Sequence, residues 1–246
     1  MKQKERHHLK ENELAHGLSA ASATLAGKKT PILAAAVIIG VVVVGAVGYG
    51  VVRQQSSAKQ AEMLSAAMTI VDAPVQPPNP AVPPMDGKPG KMAEQQPGTY
   101  PTEAAKLTAA IPKLVAVADA YPDAGAGLLA RFRLAQAYAE LGKHAEAAAA
   151  FETVATTGGA SLHARMARLG KANALARMGQ HAAAIATYKE ITDAKDSPLP
   201  ADAVLMELGT TYAAAGNLDE AKKTFSRIVH EHPASPYATE AGKQIQ

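Results

Sequence analysis

The hydrophobic positions between residues 101 and 246 recur at a fixed interval of 37 residues. Within one unit they follow the spacing i, i+4 and i+7, which places an apolar stripe on one face of a helix. A repeated helical unit of this length predicts an all-α solenoid of stacked helix pairs. Three sets of positions carry the pattern: Ala110, Ala147, Ala184 and Ala221; Leu114, Phe151, Tyr188 and Phe225; and Val117, Val154, Ile191 and Ile228.

Glycine also recurs once in every unit, at Gly142, Gly179 and Gly216. Only glycine enters the left-handed backbone region without a steric penalty, so each should end the first helix of a pair. The second helix of the first pair should then begin around His144. The pattern predicts a half repeat from 101 to 121, three repeats at about 128–160, 165–197 and 202–234, and a terminal capping helix. The residues expected to pack the repeats are these glycines with Ala147, Phe151, Ala184, Tyr188, Ala221 and Phe225.

The chain before the repeats changes in character several times. Residues 1–30 form a polar, basic tail, and residues 31–52 follow with no charge. At about 1.5 Å per residue, this uncharged run spans a hydrocarbon core of about 30 Å. It predicts a transmembrane signal anchor over 31–53, and the excess of basic residues before it predicts a cytoplasmic tail and exported repeats. A cleaved signal peptide, with small residues at Ser56 and Ala58, is the alternative.

Two further segments lie between the anchor and the repeats. Residues 54–72 have apolar positions at Ala61, Leu64, Met68 and Val71, which predicts a juxtamembrane helix. Residues 73–100 are rich in proline, which prevents a helix and predicts an extended linker. At about 3.1 Å per residue that linker would reach roughly 90 Å.

Composition and charge exclude several classes of function. Residues 101–246 contain 15 basic and 15 acidic residues, so the repeats are neutral and no nucleic-acid partner is predicted. The absence of cysteine excludes disulfides, thiol catalysis and thiolate metal sites. No phosphate-binding loop, nucleophile elbow or HExxH pattern is present. His144 and His181 share one repeat position, so they are interpreted as repeat residues and not as metal ligands. We therefore predict no catalytic residue, metal or cofactor, and no enzyme.

The sequence pattern of the units resembles the signature of the tetratricopeptide repeat family. The third unit carries the signature most fully, the first matches from Leu134 to Phe151, and the second departs from it at Lys171, Ala172 and Leu175. The signature residues of the third unit are Leu208, Gly209, Tyr212, Gly216, Ala221, Phe225 and Pro233.

This resemblance implies a concave protein-binding surface on the first helix of each pair. The groove positions carried over from the family are Phe132, Gln136, Glu140, Leu169, Asn173, Arg177, Met206 and Thr210. Asn173 matches a position where chaperone-binding members hold a peptide backbone. Those members place lysine or arginine where this chain has Phe132, Leu169 and Met206, so a more apolar groove is expected. The alternative is that these side chains only pack against adjoining helices.

The order of basic tail, membrane helix, spacer and repeats resembles the bacterial ancillary subunit of the Sec translocon and its cell-division-coordinator relatives. That resemblance implies a non-enzymatic scaffold in the inner membrane, anchored through residues 31–53, with its repeats in the periplasm. The implied partners are translocon subunits or periplasmic chaperones. The alternative is an assembly factor for a pilus, secretion or cell-division complex. Small residues at Ala36, Gly40, Ala46 and Gly50 either pair two anchors as a homodimer or are simply tolerated in a membrane helix.

Overall fold

The computed structural model of the chain describes residues 29–79, 94–123, 125–194 and 198–246. Most of the predicted basic tail, residues 1–28, lies outside these ranges. The regular elements within them are all helices, and isolated bridges provide the only β pairing described there. In chain order the helices are α1 Lys29–Val71, α2 Glu103–Ala120, α3 Gly125–Glu140, α4 His144–Thr157, α5 Leu162–Arg177, α6 His181–Asp193, α7 Ala201–Ala214, α8 Leu218–Glu231 and α9 Ala238–Ile245.

Helices α3 to α8 form three successive pairs, and each pair turns at a glycine. Gly142, Gly179 and Gly216 have φ values of 74°, 74° and 79°, which lie in the left-handed region. The residue after each glycine donates its backbone N–H to the carbonyl five positions back, as from Lys143 to Tyr138. This hydrogen bond closes the helix end in the manner of a Schellman cap. The predicted solenoid of helix pairs is therefore confirmed.

The core is a row of four hydrophobic clusters, each shared by consecutive helices. Every residue of the three recurring apolar sets is buried, from Ala110 in α2 to Ile228 in α8. The alanines meet facing helices where a larger side chain would not fit, and the aromatic residues fill the space between pairs. Each unit thus contacts mainly its neighbours, which is how a solenoid is stabilised.

The first helix of the half repeat is supplied by the end of α1. Compact packing divides the chain after Ala58, and the second unit contains residues 59–246. Ala67 in that unit is completely buried in one cluster with Leu114 and Val117 of α2, and Met63 and Ile70 pack against the same cluster. The segment predicted as a half repeat, residues 101–121, therefore has a partner helix that the repeat pattern did not indicate. The face of α1 that packs against α2 consists of Met63, Leu64, Ala67, Ile70 and Val71.

The two ends of the proline-rich segment pair with each other. Tyr100 donates its N–H to the Pro74 carbonyl and accepts from the Gln76 N–H, and Asn79 donates to the Glu94 carbonyl. The backbone groups that flank the segment are therefore satisfied by hydrogen bonds across it. The expected reach of roughly 90 Å is therefore wrong, because the segment returns to its starting point. Residues 80–93 lie outside the described residues.

The segment predicted as a membrane anchor lies within α1. Among the residues that the structure describes, no helix is both long and apolar enough to cross a membrane. The side chains of residues 31–39, in the first part of the predicted anchor, lie outside the described set. From Val41 to Val51 the described apolar side chains of α1 are exposed.

Candidate functional site

The first helices of the three pairs, α3, α5 and α7, lie side by side and line one cavity of about 700 Å³. Because the repeat places equivalent residues on neighbouring helices, the cavity is lined in rows that cross all three. Gln136, Asn173 and Thr210 form one such row, 37 residues apart. Glu140 and Arg177 belong to the next row, one helical turn further along.

Seven of the eight groove residues predicted from the sequence line this cavity, and Met206 does not. Met206 packs instead against the last hydrophobic cluster, which α7 shares with α8 and α9. The capping helix α9 contributes Ala241 to that cluster. Met206 therefore packs against adjoining helices, which was the alternative to a groove position. The seven residues that line the cavity are Phe132, Gln136, Glu140, Leu169, Asn173, Arg177 and Thr210.

The apolar wall of the cavity is built on Phe132. This ring is buried and meets the ring of Phe151 edge to face, with centroids 5.9 Å apart. It also contacts His163, at 5.4 Å between centroids. Gly170 also lies against the Phe151 ring, where a Cβ would come within 2.6 Å of it. The wall is therefore closely packed, and only part of its apolar surface faces the cavity.

Both amides in the polar row have their oxygen engaged inside the protein. Arg133 Nη1 donates to Gln136 Oε1 at 3.2 Å, and the Tyr188 hydroxyl donates to Asn173 Oδ1 at 2.6 Å. Burial, followed by the nearby Glu207 carboxylate, raises the pKa of Tyr188 well above its ordinary range, so it remains a donor. These contacts fix the orientation of both amide groups.

Five ionisable side chains are among the residues that line the cavity. Glu140, Arg177 and Glu207 are exposed, and His144 and His181 are the first residues of α4 and α6. The sequence analysis assigned the two histidines to the repeat pattern alone. They follow the groove rows at the same spacing of four residues, carried across the glycine turn, and this spacing was the signal that could have identified them.

Other lining residues carried no signal in the repeat pattern. Leu199 and Pro200 come from the segment between α6 and α7, and Glu207 occupies the position that holds Gly170 one repeat earlier. Within the described ranges, no group of three histidine, aspartate or glutamate residues is arranged to hold a metal ion. The arrangement offers hydrogen-bond donors, charges of both signs and an apolar wall, which together suit the binding of a polypeptide segment.

Comparisons with known proteins agree with this geometry. A family model described as a tetratricopeptide repeat matches residues 103–161, 132–200 and 169–238, which together span more than half of the chain. A search of curated proteins finds no significant match. Among solved structures, the chain is similar to a putative kinesin light chain of Podosopora anserina with nearly identical TPR-like repeats and to a single-residue variant of that protein. Each is 18% identical with a TM-score of 0.50, over 57% of this chain and 76% of that one, a likeness that shows the fold alone.

Proposed function

Because the chain belongs to the tetratricopeptide repeat family, we propose that it is a non-enzymatic, membrane-anchored scaffold that binds a segment of a partner protein in the cavity of α3, α5 and α7. Such repeats generally mediate protein–protein interactions through their concave face. The observation that carries the proposal is the cavity of about 700 Å³, lined at equivalent positions by three successive first helices.

The chemistry of the cavity favours a peptide over a small molecule or a terminal carboxylate. The donors of Gln136 and Asn173 suit backbone carbonyl groups, and the wall around Phe132 and Leu169 suits apolar side chains. Arg177, Glu140 and Glu207 all line the cavity. Charges of both signs favour a ligand of mixed charge, because a purely acidic one would meet two carboxylates.

The membrane anchor in this proposal rests on the sequence of residues 31–53. The run from Pro31 to Val52 has no charge. In the described part of this run, Val41, Val42, Val43 and Val44 are all exposed and point to successive directions around the helix axis. A helix that is apolar on all sides belongs in a membrane or a protein interior. The alternative of a cleaved signal peptide remains an outcome of the topology experiment.

We propose that the chain is anchored in a bacterial inner membrane with its repeats in the periplasm, near the Sec translocon or periplasmic chaperones. This follows from the order of segments and from the basic residues before the anchor. Protease added to spheroplasts should digest the repeats and spare residues 1–28. Digestion of the tail with intact repeats would show that the topology is the opposite of the one proposed. Extraction of the chain by alkaline carbonate would show that it has no membrane anchor.

Photo-crosslinking in intact membranes tests the binding proposal. A photoreactive amino acid at Thr210, which lines the cavity, should capture a partner that mass spectrometry identifies as a translocon subunit or chaperone. The matched control is the same amino acid at Thr156, an exposed threonine of α4 outside the cavity. Capture at Thr156 alone would place the binding face elsewhere. Pilus, secretion or division proteins at Thr210, with no translocon subunit, would support the assembly-factor alternative.

A further inference from the structure

His144 and His181 occupy equivalent positions beside the cavity. Each is the first residue of the second helix of its pair and follows a glycine turn of the same geometry, and both line the cavity. Both residues are half-buried. Within the described ranges, neither imidazole ring has a hydrogen bond or an ion pair with another protein group, and Nδ1 of His181 is buried without a partner. Neither ring is therefore committed to a protein partner there.

Every helix from α3 to α7 contributes one ionisable side chain to the lining of the cavity. The two carboxylates outnumber the one guanidinium, so the lining has a net charge of −1 while both imidazoles are neutral. Each imidazole adds one positive charge when it is protonated, so the lining then has a net charge of +1. In helix order these residues are Glu140, His144, Arg177, His181 and Glu207.

The charges of the lining are not neutralised by close protein partners. Elsewhere in the described chain, charged residues form close pairs, such as Arg227 with Glu231 at 2.9 Å. None of the five ionisable residues of the lining belongs to a pair of this kind in the same ranges. A proton gained by either histidine therefore changes the potential that a ligand meets in the cavity.

Neighbouring charged groups lie outside the lining. Lys143 lies over an aromatic ring of α3, with Nζ 5.9 Å from the ring centroid, and Arg133 donates to Gln136 Oε1. His163 contacts the Phe132 ring. The other charged residues of α3 to α7 do not line the cavity. Lysine and arginine keep their charge between about pH 5 and 8, so the charge of the lining changes through its two histidines.

We propose that the cavity binds a basic segment of a partner protein near neutral pH and releases it as the pH falls to about 5.5, because protonation of His144 and His181 reverses the charge of the lining. The added positive charge repels lysine and arginine side chains, so affinity for a basic segment falls and affinity for an acidic segment rises. This inference rests on the proposed function and specifies the charge of the partner segment. The mixed-charge ligand favoured above then carries a surplus of basic groups.

Fluorescence anisotropy with the intact chain, in an uncharged detergent at low salt, tests the charge preference. The probes are labelled peptides of alternating lysine and alanine and of alternating glutamate and alanine, equal in length. The lysine peptide should bind more tightly at about pH 7.5, and the glutamate peptide more tightly at about pH 5.5. One charge pair changes affinity about 1.5- to 5-fold, so two protonations should weaken the lysine peptide about fivefold to tenfold. An affinity of the lysine peptide that does not change with pH overturns the inference.

Histidine variants test which groups cause the change. His144→Gln and His181→Gln together remove both titrating groups from the lining and keep polar side chains. This double variant should bind the lysine peptide equally at the two pH values, and each single variant should retain part of the change. The matched control replaces His230 and His232, which do not line the cavity, with glutamine and should behave as wild type. Full pH dependence in the double variant overturns the inference, because another group, such as His163, would then cause it.

The two proposals fail in different ways. If the photoreactive amino acid at Thr210 captures a partner while the peptide affinities do not change with pH, only the charge selection is wrong. If Thr210 captures nothing and neither peptide binds, the cavity is not the binding site and both proposals fail.

Discussion

Replacing Tyr188 with phenylalanine removes a partly buried hydrogen bond to Asn173 and a contact of the hydroxyl with Thr211, and keeps the aromatic ring. The Tyr188 side chain is fully buried between α5 and α7, and its hydroxyl donates to Asn173 Oδ1 at 2.6 Å. Phenylalanine keeps the ring and its packing, so the substitution leaves the amide oxygen without its donor. The same hydroxyl also holds Asn173 in the orientation that the cavity requires.

The expected loss of stability follows from that unpaired acceptor. Removing the donor from a buried acceptor costs about 1–3 kcal/mol, and because Asn173 is only partly buried we expect about 1 kcal/mol. A domain of this size loses about 2–4 °C in Tm for each kcal/mol, so Tm should fall by about 2–4 °C. Tyr237→Phe is the matched control, since its side chain is exposed, and it should change stability by less than about 0.5 kcal/mol.

The pH dependence of the same variant provides a second test. Burial raises the pKa of Tyr188 in the folded protein, whereas the unfolded chain titrates at the ordinary value near 10. Above about pH 10 the unfolded state has therefore lost a proton that the folded state retains. The stability that this tyrosine contributes is fully present below about pH 10 and is lost as pH rises further. The gap between wild type and Tyr188→Phe should shrink by up to about 1.4 kcal/mol per pH unit.

Urea unfolding followed by far-ultraviolet circular dichroism, at about pH 8, 10 and 11, measures both effects. A Tyr188→Phe protein as stable as wild type at the lowest of these pH values would show that the hydroxyl contributes nothing. A gap that stays constant or widens up to the highest would contradict the raised pKa. The first result would refute the contribution of the hydrogen bond to Asn173, and the second would refute the effect of burial on the titration of Tyr188.

Three further substitutions test the packing of the solenoid. Ala184→Leu should lower the free energy of unfolding by about 1–3 kcal/mol through overpacking, whereas Ala183→Leu on the exposed side should not; equal effects would contradict the close helix contact. Ala67→Arg should release the end of α1 and speed proteolysis of residues 59–71, whereas exposed Ala66→Arg should not; unchanged protection would show that this helix does not dock. Gly216→Ala should cost about 1–2 kcal/mol in a thermal melt because φ is 79° there, and an unchanged Tm would contradict the left-handed cap.

The repeats could be predicted from the sequence because their determinants are local. The spacing of apolar residues along each helix and the glycine at each turn specify the helix pairs without reference to distant parts of the chain. The groove rows follow from the same register, so residues such as Gln136 and Asn173 could be located by counting. Met206 could not, because α9 covers its end of the solenoid and the repeat alone does not show that contact.

Contacts between distant segments could not be predicted in this way. Ala67 packs on Leu114, although a proline-rich segment separates the two in sequence, and no local pattern indicates which apolar face α1 would meet. Pro74 and Gln76 pair with Tyr100 through backbone groups alone, so the pattern of side chains does not predict this pairing. The hydrogen bond from Tyr188 to Asn173 joins a residue that the sequence analysis assigned to repeat packing and a residue that it assigned to the groove, so neither assignment indicated the bond.

The most direct test of the binding face is hydrogen–deuterium exchange on the intact chain, with and without the partner captured at Thr210. If the partner segment occupies the cavity, its addition should slow exchange in α3, α5 and α7 and leave the solvent-facing sides of α4, α6 and α8 unchanged. Protection confined to α4, α6 and α8 would place the partner on the opposite side of the solenoid and contradict the proposed function.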